Sequence, residues 1–210
     1  MAIWTKSFLF SFLFLMASFS PAKGFTETFQ KLPSTYTISY GDPQAPIHVV
    51  EYFSFSCPQC LDLLKKEFPH VQEKYINPGK VYWSFHPDPA DLLTLQAMIC
   101  LETLSQGDKQ LLLEETARHL KPHSLGKGCF LLQEIMKGLG KPLPDLYDLK
   151  WIEKTQAFQK AYTYLSQKQV PSDLPTVEIN GKVYKEFPSL KVIDQILIGL
   201  QNPTIERRPE

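Results

Sequence analysis

The sequence predicts an α/β protein in which a long helical segment interrupts a mixture of strands and helices. Two apolar, β-branched and aromatic segments, Ile47–Phe55 and Val81–Phe85, have the composition of buried strands. Residues 91–169 change to the periodicity of helices. Extended structure returns on both sides of Asn180-Gly181, a dipeptide typical of a two-residue hairpin turn.

The first part of the chain is divided by short local signals. Tyr36–Tyr40 alternates as a short strand, and Gly41-Asp42-Pro43 then turns the chain. Ile47–Phe55 is apolar enough to be a central strand that is covered on both faces. Leu61–Phe68 follows it with the spacing of a helix, and Val81–Phe85 is predicted as the second long strand.

The second part combines the helical region with a short hairpin and a last helix. Three stretches of residues 91–169 carry the helical pattern, and these are residues 92–99, 111–120 and 151–165. Thr176–Ile179 and Lys182–Tyr184 flank the hairpin turn. Pro188-Ser189 then precedes an amphipathic helix over Leu190–Leu200, for which Ser189 is a suitable cap.

Residues 1–24 have the pattern of a secretory signal peptide. Lys6 precedes an apolar block of about 13 residues, Ser7–Phe19, and Ala22-Lys23-Gly24 offers small residues for cleavage. A membrane-spanning helix needs about 20 residues, so a cleaved leader is expected rather than a permanent anchor. The mature chain would begin near Phe25 in an oxidising compartment, for which we predict the periplasm.

The composition favours one globular domain of the mature chain. Among 210 residues, 22 basic and 22 acidic side chains cancel, and this balance does not favour nucleic acid or an anionic membrane surface as a partner. Hydrophobic residues make up 43% of the chain, enough for a core. We expect a first α/β part, the helical insertion, a second α/β part and a tail, over residues 25–90, 91–169, 170–202 and 203–210.

Cys57-Pro58-Gln59-Cys60 carries the candidate chemistry, because it lies where the central strand is followed by a helix. Unpaired backbone N–H groups and the helix dipole at such a position favour a thiolate at Cys57. Cys60 comes one helical turn later, within reach of the Cys57 sulfur and less open to solvent. The motif predicts thiol-disulfide exchange with Cys57 as nucleophile and Cys60 as resolving cysteine, and no cofactor beyond this redox-active disulfide.

Two stretches resemble DsbA-like proteins, which are thiol-disulfide oxidoreductases. The first is Gly41–Pro46 followed by Val50–Cys60, and the second is Leu174–Lys182. The resemblance covers nearly all of the mature chain. It implies a thioredoxin fold with an inserted helical subdomain, and the motif of two cysteines as its active site.

The resemblance also assigns a substrate-binding loop. Pro175 matches the position of the family's cis-proline, which implies that the backbone of Leu174, Pro175 and Thr176 pairs with substrate beside Cys57. The alternative is an ordinary trans turn proline, as is expected for Pro171.

Glu51, six residues before Cys57, matches a buried acid that in the family helps to move a proton during exchange. A buried carboxylate is costly unless it is paired, so we expect a raised pKa and a lysine neighbour. Lys80, at the head of the next strand, is the candidate partner. The alternative is that Glu51 points out of a half-exposed strand.

Gln59 departs from the family pattern, because the strongly oxidising members carry a histidine at this position. That histidine stabilises the thiolate of the reduced form, whereas a glutamine hydrogen-bonds without a charge. We therefore expect the pKa of Cys57 to be less depressed and the disulfide to be a weaker oxidant. The direction of electron flow stays open.

Cys100 and Cys129 both fall in the helical insertion. In an oxidising compartment they favour a structural disulfide, which would close a loop of about 30 residues and stabilise the fold by about 3 to 4 kcal/mol. Two buried free cysteines are the main alternative. A second catalytic pair and a zinc site fit their spacing less well.

These patterns predict an enzyme that passes the Cys57–Cys60 disulfide to reduced or unfolded secreted proteins. The resemblance implies a membrane partner of the DsbB type, linked to quinone, that reoxidises it. A reductase or isomerase is an alternative. The segment of about ten residues between the expected cleavage site and the first strand is too short for a dimerisation domain, which favours a monomer. A different class is a redox-inert module on the same fold that binds metal or peptide.

Overall fold

The computed structural model describes residues 29–121, 126–167, 170–184 and 190–201. Three sequence predictions lie outside these ranges, namely the leader 1–24, the cap Pro188-Ser189 and the tail 203–210. Within the described ranges, no helix has the length and apolar character needed to cross a membrane.

A mixed five-stranded sheet with the strand order β1-β3-β2-β4-β5 lies at the centre of the protein. Its strands are β1 Ile38–Tyr40, β2 Ile47–Phe53, β3 Val81–Pro87, β4 Thr176–Ile179 and β5 Lys182–Tyr184. Strands β2 and β3 are parallel, and the other neighbours are antiparallel. Strand β2 is paired on both edges, as expected of a central strand, and one of its faces is fully buried. On the other face His48 is exposed and Val50 is half-buried, so the predicted cover on both faces is only partial.

Helices cover the sheet and form the insertion. They are α1 Pro58–Lys66, α2 Phe68–Val71, α3 Leu92–Leu101, α4 Gln106–His119, α5 Gly128–Gly138, α6 Leu149–Ile152, α7 Gln156–Leu165 and α8 Leu190–Gln201. A π-helical turn, Gln72–Ile76, continues α2, and a 3-10 turn covers Ser34–Tyr36. Helices α3 to α7 lie between β3 and β4, so the predicted fold class is confirmed: an α/β sheet protein with a helical insertion.

Helix α3 joins the insertion to the sheet. Residues 93–101 of this helix are all buried, which identifies it as the central helix of the insertion. Helix α5 packs against it so closely that a Cβ atom at Gly128 would lie 2.5 Å from Leu93 Cδ2. The insertion therefore has a compact core that extends from the core beside the sheet.

The hairpin turn is tied to the central strand. Asn180 and Gly181 have φ angles of 46° and 82°, which are the left-handed values that a tight two-residue turn requires. The Asn180 backbone N–H donates to the His48 carbonyl oxygen at 2.9 Å, and its side-chain oxygen accepts from the His48 N–H at 2.8 Å. These bonds fix the position of β4, and with it the loop that precedes β4.

Candidate active site

The two cysteines of the motif form a disulfide at the start of α1. Cys57 is the N-cap residue, and its sulfur accepts a hydrogen bond from the Cys60 backbone N–H at 3.2 Å. Cys57 is half-buried and Cys60 is only 2% exposed, while Pro58 and Gln59 between them are exposed. An attacking thiolate can therefore reach the Cys57 sulfur and not the Cys60 sulfur.

The loop before β4 faces this disulfide. The Leu174 carbonyl oxygen lies 3.9 Å from Cys57 Sγ, and the Leu174–Pro175 peptide bond is cis, as predicted. Thr176, the first residue of β4, is buried and donates its hydroxyl to the Asp173 carbonyl oxygen at 2.6 Å. The structure thus brings the predicted loop of Leu174, Pro175 and Thr176 to the reactive sulfur.

Glu51 lies inside the protein, beneath α1 and α2. The residue is 3% exposed, and burial raises its pKa to about 8, although a hydrogen bond from Trp83 opposes this rise. Trp83 Nε1 donates to Glu51 Oε2 at 3.2 Å, whereas Glu51 Oε1 has no hydrogen-bond partner among the described residues. A small cavity adjoins the carboxyl group, and its lining combines Glu67 with apolar side chains that include Leu63 and Val71. The expected burial and raised pKa are confirmed.

Lys80 is not the partner of Glu51. The register of β2 and β3 pairs Glu51 with Phe85, five residues beyond Lys80, which corresponds to about 16 Å along a strand. Lys80 is exposed just before β3 begins, so the predicted pair is wrong. Trp83 takes its place because it lies two residues from Phe85, on the same face of the sheet as Glu51.

A carboxylate that the sequence analysis did not single out lies beside the motif. Asp91 Oδ1 accepts from Ser56 Oγ at 2.6 Å and from the Thr94 N–H at 2.9 Å. Its Oδ2 accepts from Ser54 Oγ at 2.6 Å and from Thr94 Oγ1 at 2.7 Å. The spacing of Asp91 and Thr94 predicts a helix cap. The bonds from Asp91 to the segment before Cys57 join residues that are far apart in the sequence, and no local pattern predicts them.

Cys100 and Cys129 are free, buried cysteines, which corrects the predicted structural disulfide. They lie in α3 and α5, which pack against each other in the core of the insertion. Burial raises the pKa of Cys100 to about 12, with a smaller contribution from the nearby Cys129. Thiols that stay protonated in an apolar interface behave as small hydrophobic side chains, the alternative that the sequence left open.

Comparison with known proteins shows the fold. Residues 34–124 match a family model described as "Thioredoxin". No curated protein matches the chain. Oxidised BdbD from Bacillus subtilis has a TM-score of 0.65 and 20% sequence identity, and the match covers 83% of this chain and 97% of that one.

Two further solved structures have the same architecture. Alpha-DsbA1 from Wolbachia pipientis has a TM-score of 0.60 and 24% identity, with 83% of this chain and 95% of that one covered. DsbA from Chlamydia trachomatis has a TM-score of 0.59 and 18% identity, with 80% and 93% covered. These likenesses, together with the Cys57–Cys60 disulfide, show the predicted thioredoxin fold with the helical insertion of DsbA proteins.

Proposed function

We propose that this chain, whose fold is that of DsbA proteins, is a thiol-disulfide oxidoreductase that introduces disulfide bonds into reduced or unfolded secreted proteins. The observation that carries the proposal is the Cys57–Cys60 disulfide at the N-terminus of α1, opposite the loop that contains Pro175. The half-buried Cys57 and the buried Cys60 are placed for attack in a fixed order.

The reaction transfers two electrons from a client to the protein, and of the two protons lost by the client thiols one is balanced by protonation of Cys60 and the other goes to solvent. A client thiolate attacks Cys57 Sγ, the Cys57–Cys60 bond breaks, and Cys60 leaves as a thiolate that takes up a proton. A second client thiolate then attacks the client sulfur of this mixed disulfide and releases Cys57 as a thiolate. The client gains one disulfide, and the protein is left with two cysteines in the reduced form.

The N-terminus of α1 supports the reduced state. The Cys60 backbone N–H already points at Cys57 Sγ, and the positive end of the helix dipole lies beside it. Both interactions strengthen when Cys57 carries a negative charge, and both lower its pKa. Gln59 contributes no charge of its own, so the disulfide would be a weaker oxidant than one beside a histidine.

Glu51 is proposed to move the proton that Cys60 requires. With a pKa of about 8 the carboxyl group holds a proton at neutral pH, and it lines the cavity beneath the helix that bears both cysteines. The proposed step is donation of this proton to the leaving thiolate of Cys60, after which the carboxyl group regains a proton from solvent. Lys80, which is remote from it, has no part in this step.

Client binding is assigned to the loop before β4. The backbone of Leu174, Pro175 and Thr176 would align an extended client segment beside Cys57, in the manner of strand addition. The Leu174 carbonyl oxygen is already within 3.9 Å of the sulfur that forms the mixed disulfide. We assign the protein to the periplasm as a monomer, with reoxidation by a quinone-linked membrane protein of the DsbB type and no cofactor beyond its own disulfide.

The test uses the oxidised mature chain and reduced, unfolded ribonuclease A as client. We expect disulfide formation in the client with matching loss of the Cys57–Cys60 disulfide. Cys57→Ser should abolish the transfer, and Cys60→Ser, activated at Cys57 as a mixed disulfide, should still exchange with client thiols. Cys100→Ala is the matched control, which should leave the transfer unchanged. Normal turnover in Cys57→Ser would refute the assignment.

A reductase is the second candidate, and the observation that favours it is the uncharged Gln59 beside Cys57. The two functions differ in the reduction potential of the Cys57–Cys60 pair, which equilibration with glutathione measures. A value near about −120 mV identifies an oxidase, and a value near about −270 mV identifies a reductase.

A further inference from the structure

Two helices begin side by side at one edge of the sheet. Strands β2 and β3 are parallel neighbours, and the segments that follow them lead into α1 and α3. The Asp88 N–H donates to the Phe53 carbonyl oxygen at 2.7 Å, so these two segments are joined as soon as they leave the sheet. The N-cap residues of the two helices are Cys57 and Asp91.

The segment before Cys57 depends on Asp91 and its partner Thr94 for its shape. The Phe55 N–H donates to Thr94 Oγ1 at 2.9 Å, and Thr94 Oγ1 in turn donates to Asp91. The Ser56 N–H donates at 2.9 Å to Ser54 Oγ, which donates its own proton to Asp91. Two of the backbone N–H groups that lead to Cys57 thus reach Asp91 through a single hydroxyl group each.

The backbone N–H of Cys57 itself closes a tight turn. The Cys57 N–H donates to the Ser54 carbonyl oxygen at 3.1 Å, while Ser56 Oγ donates directly to Asp91. Ser54 is 5% exposed and Thr94 is fully buried, so little water can substitute for these bonds. The backbone at Cys57 is therefore held by a polar network centred on one carboxylate, and this network is buried at Ser54 and Thr94 and half-buried at Asp91.

This arrangement exceeds what a helix cap needs. A capping aspartate serves the N–H groups of its own helix, as Asp148 does for α6 by accepting from the Lys150 and Trp151 N–H groups. Asp91 serves its own helix through Thr94 and, with both of its oxygens, also accepts from the serines of another segment. The additional bonds connect the insertion to the redox motif.

We propose that Asp91 is a positioning residue for exchange at Cys57, an inference that rests on the proposed function. It holds the turn Ser54–Ser56 so that the Cys57 sulfur keeps its place at the N-terminus of α1. Asp91 accepts a hydrogen bond from Ser56, the residue before Cys57, so its negative charge lies near the Cys57 sulfur. This charge opposes negative charge on the Cys57 thiolate and so limits the oxidising strength of the disulfide.

The two effects are separated by two substitutions. Asp91→Asn removes the charge and keeps one of the two acceptor oxygens, while its NH2 group faces hydroxyl groups that can rotate to accept from it. The pKa of Cys57 in the reduced protein should therefore fall by about half a unit, about threefold in the ionisation constant. Asp91→Ala removes the acceptor as well, so exchange with client should slow severalfold. Asp148→Asn and Asp148→Ala are the matched controls and should change neither quantity.

The pKa of Cys57 is read from the pH dependence of its alkylation by iodoacetamide, which needs no client. This measurement therefore decides the role of Asp91 even if the protein is inactive towards clients. Inactivity towards clients would refute the proposed function and would leave the role of Asp91 to be decided by the pKa. An unchanged pKa of Cys57 in folded Asp91→Asn overturns the inference. If Asp91→Ala does not fold, Ser56→Ala removes one bond on the cysteine side, and unchanged exchange in that variant also overturns it.

Discussion

The indole N–H of Trp83 donates to the carboxyl group of Glu51 across the buried face of the sheet, with 3.2 Å between Nε1 and Oε2. The two residues lie on neighbouring parallel strands and are offset by two positions in the register. A neutral donor therefore occupies the place where the sequence predicts a lysine. Burial raises the pKa of this acid, and no cation among the described residues forms an ion pair that would lower it.

Replacement of Trp83 by Phe should destabilise the protein, partly by leaving Glu51 Oε2 without its donor. An unsatisfied buried polar group costs about 1 to 3 kcal/mol, to which the smaller side chain adds a loss of packing. Denaturant unfolding of Trp83→Phe, Glu51→Gln and the double variant isolates the interaction between the two side chains. We expect a coupling free energy of about 1 kcal/mol, and purely additive effects would contradict the hydrogen bond.

Glu51→Gln should remove a pH dependence of stability. The folded pKa of about 8 lies above the reference value of 4.5, so between these values the folded protein binds more protons than the unfolded chain. The carboxyl group is compatible with the fold at low pH, and its contribution to stability falls as the pH rises towards 8. The variant should therefore melt at a higher temperature than the wild type at pH 8 and at a similar temperature at pH 4.

The control for this experiment is Glu73→Gln, which removes an exposed carboxylate of the same type. Its melting temperature relative to the wild type should change little between the two pH values. An equal gain in both variants at pH 8 would assign the effect to net charge rather than to burial of Glu51.

The sequence correctly predicted those elements whose geometry depends on a few neighbouring residues. The cysteine motif at a strand-to-helix junction and the Asn180-Gly181 turn each need only a few consecutive residues, and both were predicted correctly. The strand predicted to continue to Phe55 ends at Phe53, because the following residues turn towards Asp91.

Two predictions that required the register or the packing of distant segments were wrong, namely the Glu51–Lys80 pair and the Cys100–Cys129 disulfide. Lys80 lies just before β3, whereas parallel pairing aligns Glu51 with Phe85, and this register follows from the sheet and not from the spacing of the two residues in the sequence. The Asp91 network joins residues more than 30 positions apart through side-chain contacts that no spacing rule predicts. Cysteine spacing likewise cannot show how two helices orient their thiols.

The free state of Cys100 and Cys129 predicts a definite thiol count. Oxidised protein that is unfolded in denaturant without reductant should react with two equivalents of alkylating reagent, both located at these residues by mass spectrometry. The folded protein should react slowly at Cys100, which is fully buried and whose pKa of about 12 leaves it almost entirely protonated. A count of zero in denaturant would show that the two cysteines are joined.

Gln59→His should convert the protein into a stronger oxidant. The side chain at this position is exposed beside Cys57, so an imidazole can be accommodated there without loss of core packing. A protonated imidazole stabilises the Cys57 thiolate, and a fall of about one unit in its pKa corresponds to about 1.4 kcal/mol, or about 30 mV in the reduction potential. Gln59→Asn changes the side chain without adding charge and should leave the potential near that of the wild type. If both variants keep the wild-type potential, the residue between the cysteines does not set the oxidising strength here.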